Sequence, residues 1–235
     1  MTGQASVDHR FFAWFYRFMS RHESEPMQAW RRENLADLSG RVLEIGAGTG
    51  TNFALYPSTV TEVIAIESER RLAEIARAAA KSAPVPVTVT DRTIEMFDPV
   101  EPFDAAVCSL VLCRVDNPNR MLRQVFSLLR PVGQLRYLEH VASDGMPGRL
   151  QRLADATGWP RLFGNCHMHR DTEGAIADSG FGLQTTRHDQ AVPSSPARFM
   201  RMVHGRAVRP APTALGNSSL VGPPTQGSPT DGAPR

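Results

Sequence analysis

The 235 residues and formal charge of +2 suit one well-packed α/β domain, not a nucleotide domain with a separate substrate domain. No charge excess demands nucleic acid or an anionic membrane, and no run approaches the roughly 18 apolar residues of a membrane span. The cysteines Cys108, Cys113 and Cys166 form an odd, unpaired set, which fits a reducing compartment. With no charged-apolar-small leader at the N-terminus, a cytoplasmic protein with no nucleic-acid partner and no stable membrane insertion is expected.

Residues 7–19, VDHRFFAWFYRFM, carry Phe11, Phe12, Trp14, Phe15 and Phe18 near helical spacing, with Arg10 and Arg17 interleaved. Three readings are open. The aromatic stripe packs on the domain, or it forms a lid whose Phe11, Phe15 and Tyr16 wall a substrate pocket, or it dips into a membrane interface. A second helix is expected over 26–38, with Ser39-Gly40 as the break. Residues 1–34 thus form a helical cap and residues 35–207 the main domain. The segment 208–235, rich in proline, glycine, serine and threonine, is expected to be a disordered tail.

The chain is organised around residues 41–52, RVLEIGAGTGTN. Residues 42–45 are apolar on both faces, as in a covered parallel strand. They run into a glycine-rich turn, GAGTG, where a ligand can lie directly against backbone. The turn is expected to open a short helix that ends near Tyr56-Pro57. A dinucleotide fingerprint needs its last small residue three positions after the second glycine. Thr51 stands there instead, and the P-loop lysine is missing. Glu44, two residues before Gly46, would attract an ammonium group and repel a pyrophosphate.

The stretch 42–50 therefore resembles the first motif of the class I S-adenosylmethionine-dependent methyltransferases. That resemblance implies a doubly wound, seven-stranded, mostly parallel sheet, with helices on both faces and an antiparallel last strand. It also implies S-adenosylmethionine as cofactor, held by Glu44, Gly46, Ala47, Gly48, Gly50 and Asn52.

Further along, residues 61–66 read as the second strand. Glu67 follows Gly46 at about the interval of an acid that accepts from both ribose hydroxyls, with Ser68 beside it. A helix is expected over 69–81 and a third strand over 84–91. Asp91 and Thr93 are the nearest matches to the family's adenine-side segment, which here departs from its usual acid-alanine-acid order. The fourth strand, 103–112, brings Cys108 toward the cofactor. Asn117-Pro118 opens a helix, and LLRPVGQLRYLEHV leads into a fifth strand over 134–140, Val132 replacing a usual glycine and altering only the turn. A helix over 149–157, an Asp171-capped helix ending at Gly180, and strands over 181–190 and 198–207 complete the sheet.

EIGAGTGTNFALYP, CSLVLCRVDNP, LEHV, CHMHRDT and HGRA together resemble the small thiol S-methyltransferases, some of whose bacterial relatives cap thiols of dithiol natural products. The acceptor implied is a small molecule bearing a thiol. Chemistry agrees: thiolate attack on a sulfonium destroys charge and is favoured in a dry pocket, and a thiol of pKa ~8.5 needs little base catalysis. His140, at the end of the fifth strand, is the candidate to take or hold the thiol proton. His167 and Arg170 belong to a loop that closes the substrate pocket. The compact Cys166-His167-x-His169 run has no matching partner pair, so no metal is expected. Methylation of oxygen, nitrogen or ring carbon on the same fold, a non-catalytic cofactor-binding module, and a nicotinamide oxidoreductase are the rival readings. The oligomeric state is left open.

Overall fold

The computed structural model describes residues 16–17, 20, 22–190 and 200–212. The aromatic stripe other than Tyr16, including Phe11 and Phe15, lies outside the described residues, as does the tail from 213.

Helix α1 (Glu25–Leu35) precedes β1 (Gly40–Ile45), β2 (Val60–Ile66), α2 (Arg70–Ala80), β3 (Val87–Thr90) and β4 (Phe103–Ser109). Then follow α3 (Pro118–Leu128), β5 (Leu129–His140), α4 (Gly145–Asp155), α5 (Trp159–Leu162), α6 (Thr172–Asp178), β6 (Gly182–Gln190) and β7 (Arg201–Val208). The seven strands form one sheet in the order β3-β2-β1-β4-β5-β7-β6. Only β7 runs against its neighbours, pairing antiparallel with both β5 and β6. The expected doubly wound sheet with an antiparallel last strand is the fold observed.

Alternating side chains divide two cores across the sheet. Leu43, Ile45, Ala106, Cys108 and Leu135 pack with α3 through Met121, Leu122 and Val125, and with Ile176 of α6. Val42, Val63, Ala65, Ala105 and Val107 pack on the other side with Leu35 of α1 and Ala76 of α2. Burying each such aliphatic side chain contributes on the order of 1.5–3 kcal/mol. Polar caps set the helix starts: Glu69 accepts from the Leu72 amide at 2.7 Å, Asn117 from Arg120 at 2.9 Å and Asp171 from Gly174 at 2.8 Å.

Two local expectations change. The glycine turn opens only a three-residue 3-10 turn, Phe53–Leu55, because Pro57 drives Tyr56 into extended backbone (ψ 130°) and stops propagation. The fifth strand begins at Leu129, five residues early. Val132 accommodates this by taking φ +60°, a left-handed conformation that β-branched residues avoid.

Candidate functional site

Chain order reverses between β1 and β4, so the crevice at their carboxyl ends is the topological switch point where such sheets bind ligands. The glycine turn leaves β1 there. Gly46, Gly48 and Gly50 have φ of +66°, +59° and +79°, values open to glycine and strained for other residues. The amides of Gly46 and Ala47 donate to Ile66 O at 2.8 and 3.1 Å, tying the turn to the end of β2. Gly48 donates to Glu67 Oε2 at 2.7 Å, and Glu69 donates to Glu67 Oε1 at 2.8 Å. Glu67 therefore braces the loop, and each of its oxygens keeps a lone pair for a ligand hydroxyl. Burial raises its pKa, against the pull of the Glu69 and Gly48 amides.

Glu44 faces the same side of β1 as Val42 and is buried. Its carboxylate accepts from Asn52 Nδ2 at 2.9 Å and from Tyr56 Oη at 2.6 Å. Asn52 in turn accepts from Arg31 Nη1 at 3.0 Å, and Arg31 is held by Glu23. Burial pushes the Glu44 carboxyl up to about 7, while the Tyr56 and Asn52 hydrogen bonds and the Arg31 charge pull it down. Arg31 and Tyr56 were missed at the sequence level; both come from elements whose contact with β1 is purely tertiary.

Tyr16 covers this loop. A Cβ on Gly48 would lie 2.6 Å from Tyr16 Cε1 and Oη, and the Arg114 guanidinium lies over the ring, 5.5 Å from its centroid. Tyr16, one of the residues expected to wall a substrate pocket, has its ring against Gly48 of the glycine turn. A cleft of about 540 Å³ opens away from this turn, lined by Ser143, Pro147, His188 and Arg201.

The remaining cofactor candidates separate. Ser68 directly follows Glu67, and Thr93 begins the 3-10 turn Ile94–Met96. Asp91 is half-exposed and paired with Arg77 at 3.5 Å. Cys108 is fully buried beside Ile45 in the α3-side core, so its side chain is a packing element.

On the β5 side, the buried Glu139 carboxylate accepts from three successive amides, Val111 and Leu112 at 2.9 Å and Cys113 at 3.2 Å. It thereby shapes the loop after β4, whose Leu110 is held at φ +58° and whose Val111 touches Gly46. His140, buried at the end of β5, places Nδ1 3.6 Å from Cys166 Sγ, which is 3.9 Å from Cys113 Sγ. Hydrogen bonding with Cys113 and His140 holds the Cys166 thiol below its ordinary range despite burial. His140 is raised by Cys166 against its own desolvation. Cys113, one of the three cysteines the sequence leaves unpaired, is a member of this cluster.

His167 turns aside, its Nε2 3.2 Å from Asn165 Oδ1 and its amide on Cys113 O. His169 Nε2 meets Arg152 at 2.8 Å. The Cys166-His167-x-His169 run therefore does not converge on one point. Arg170 keeps a buried Nε with no partner among the described residues.

These residues suit S-adenosylmethionine. Gly46 and Gly48 allow groups to lie directly against the turn's backbone, where Val111 and Tyr16 now sit and any Cβ would collide, and two buried carboxylates, Glu44 and Glu67, suit a cationic amino-acid end and a ribose.

Comparison with known proteins agrees. A family model described as "Methyltransferase domain" matches residues 19–183. Human Thiol S-methyltransferase TMT1A is 31% identical over 83% of this chain and 86% of its own length. Mouse Thiol S-methyltransferase TMT1B is 29% identical over 69% of this chain and 71% of its own. N-methyltransferase NodS from Bradyrhizobium japonicum, solved with S-adenosyl-L-homocysteine, superposes with a TM-score of 0.63 at 16% identity, over 86% of this chain and 100% of its own. With the glycine turn, its braced acids and the switch-point crevice in place, the chain belongs to the methyltransferase-domain family and is an S-adenosylmethionine-dependent methyltransferase.

Proposed function

We propose that the protein transfers the methyl group of S-adenosylmethionine to the thiol of a small, partly apolar molecule. The observation that carries this reading is the position of His140: buried, at the carboxyl end of β5, with its ring against a cysteine sulfur. The surroundings are apolar, with Met168, Trp159, Phe163 and Met200 packed around Cys113 and Cys166. The names of the relatives at 27–31% identity point the same way.

The cofactor, when bound, supplies an electrophilic methyl sulfonium. The chain supplies placement and a dry enclosure. Glu44 would hold the cofactor's ammonium and Glu67 its ribose, with the Gly46–Gly50 backbone against it. Tyr16 shifts off Gly48 to admit it and then closes the site against water. His140 takes or holds the proton of the incoming thiol, and the apolar wall favours a step in which a thiolate and a sulfonium become neutral products. Arg170, through its unpartnered Nε, is the group that anchors a polar end of the acceptor.

An acceptor that offers a thiol and a phenolic hydroxyl in one molecule tests the assignment. Mass spectrometry is expected to find the methyl on sulfur, and His140→Ala is expected to slow that transfer without changing cofactor affinity. A product methylated on oxygen would replace the thiol reading with an oxygen one.

A further inference from the structure

Cys113, His140 and Cys166 lie far apart in sequence, on the loop after β4, at the end of β5 and on the loop after α5. The fold brings one ligand atom of each within 4.8 Å of the others. We propose that these three residues form a binding site for one thiophilic divalent ion, Zn²⁺ by donor set and geometry, whose fourth position is completed from outside the triad.

The distances carry the proposal. Tetrahedral zinc with Zn–S of ~2.3 Å and Zn–N of ~2.0–2.1 Å separates two sulfurs by ~3.8 Å and a sulfur from a nitrogen by ~3.5 Å. The observed Sγ–Sγ separation is 3.9 Å and Cys166 Sγ to His140 Nδ1 is 3.6 Å. The third edge is no longer than 4.8 Å, so a side-chain adjustment of roughly an ångström at most brings it to the ~3.5 Å of a zinc site. Charge agrees as well. Two thiolates neutralise the ion, so a buried site carries no net charge.

The supporting shell is built. Glu139 fixes the backbone amide of Cys113, and Thr172 Oγ1 donates to the carbonyl of His140 at 3.2 Å. The neighbouring acids are committed elsewhere: the Glu139 oxygens take three amides, and the Asp155 oxygens take the amides of Met168 and His169. No further His, Cys, Asp or Glu among the described residues joins the cluster. A site with three protein ligands and an exchangeable fourth is the catalytic type of zinc site, not the closed structural type. Its soft donors also favour zinc over magnesium or calcium.

The site lies two residues along from Val111, which touches the cofactor turn. With the ion bound, His140 is a ligand and no longer the group that takes the thiol proton; an acceptor thiol in the fourth position would instead lose its proton to solvent and present a metal-held thiolate to the methyl group. That consequence rests on the thiol reading; the site itself does not.

Full-length protein, reduced and stripped with a chelator, is titrated with Co²⁺ and, in competition with a chromophoric chelator, with Zn²⁺. One equivalent of Co²⁺ with tetrahedral visible bands and a thiolate-to-metal charge-transfer band is expected. Cys113→Ser and Cys166→Ser should each weaken the charge-transfer band and lower Zn²⁺ affinity by ~100-fold or more, beyond the loss seen for outer-shell changes. Unchanged S-adenosylhomocysteine binding by these variants shows that they are folded. Zn²⁺ affinity in the double serine variant equal to wild type overturns the site. Loss of the charge-transfer band in the variants, in a protein that methylates no thiol, supports the site and removes only the acceptor assignment.

Discussion

Tyr56 donates its phenolic hydrogen to Glu44 Oε2 at 2.6 Å, with both groups buried beneath the glycine turn. This bond joins the residue that ends the short 3-10 turn to the strand that begins the cofactor loop. Tyr56→Phe leaves a buried carboxyl oxygen short of a donor, at about 1–3 kcal/mol. Urea denaturation should show that loss, and cofactor affinity should fall with it. A midpoint equal to wild type would mean the bond does not brace the loop.

The same carboxylate sets a pH dependence. Glu44 titrates near 7 in the folded protein and near its ordinary carboxylate value when unfolded. Between those values the native state holds a proton that the unfolded state has released. Glu44's contribution is therefore fully present below the unfolded pKa and is lost as pH rises through about 7, by at most about 3 kcal/mol. An ammonium brought against Glu44 favours its ionised form, so cofactor affinity should rise with pH across that window and a proton should be released on binding. Calorimetry in buffers of different ionisation enthalpy reads that proton. Equal pH profiles for wild type and Glu44→Gln would remove Glu44 from the amino-acid end of the site.

Gly48→Val should abolish cofactor binding. It places a β-branched residue at φ +59° and drives its Cβ into the Tyr16 ring or into the ligand. Glu67→Ala should weaken binding by roughly 10–100-fold, taken as about 1.5–3 kcal/mol for hydrogen bonds to a charged group, because it removes the ribose acceptor and the brace on the Gly48 amide together. Titration of each variant with S-adenosylhomocysteine checks this; unaltered affinity in either would displace the proposed site.

Much of this was legible in the chain because the signals are local. The apolar run into GAGTG, the Asn117-Pro118 start and the Asp171 cap each act within a few residues, and all three appear where their chemistry requires. The cluster of Cys113, His140 and Cys166 was not legible: each residue reads alone as filler, strand-end polar group or loop residue, and only the β4–β5 pairing and the loop after α5 bring them together. Glu139 was hidden for the same reason, since its three amide donors lie on another strand's loop. Of the 166–169 run only Cys166 joins the cluster, because His167 and His169 turn toward Asn165 and Arg152.

Val132 gives a stability test remote from the site. Its φ of +60° costs an L-residue about 1–2 kcal/mol, while glycine adds about 0.4–1 kcal/mol of unfolded-state entropy. Val132→Gly should therefore stabilise the protein by roughly 0.5–1 kcal/mol, the difference of those two terms, without altering turnover. A lower denaturation midpoint would show that the exposed Val132 side chain contributes more than the strain removes.

The most direct measurement is formation of S-adenosylhomocysteine by the full-length chain with a panel of small thiols, phenols, amines and quinols. The account predicts turnover with thiols, strongest for partly apolar ones, and little with the rest. Turnover confined to phenols, amines or quinols would contradict it.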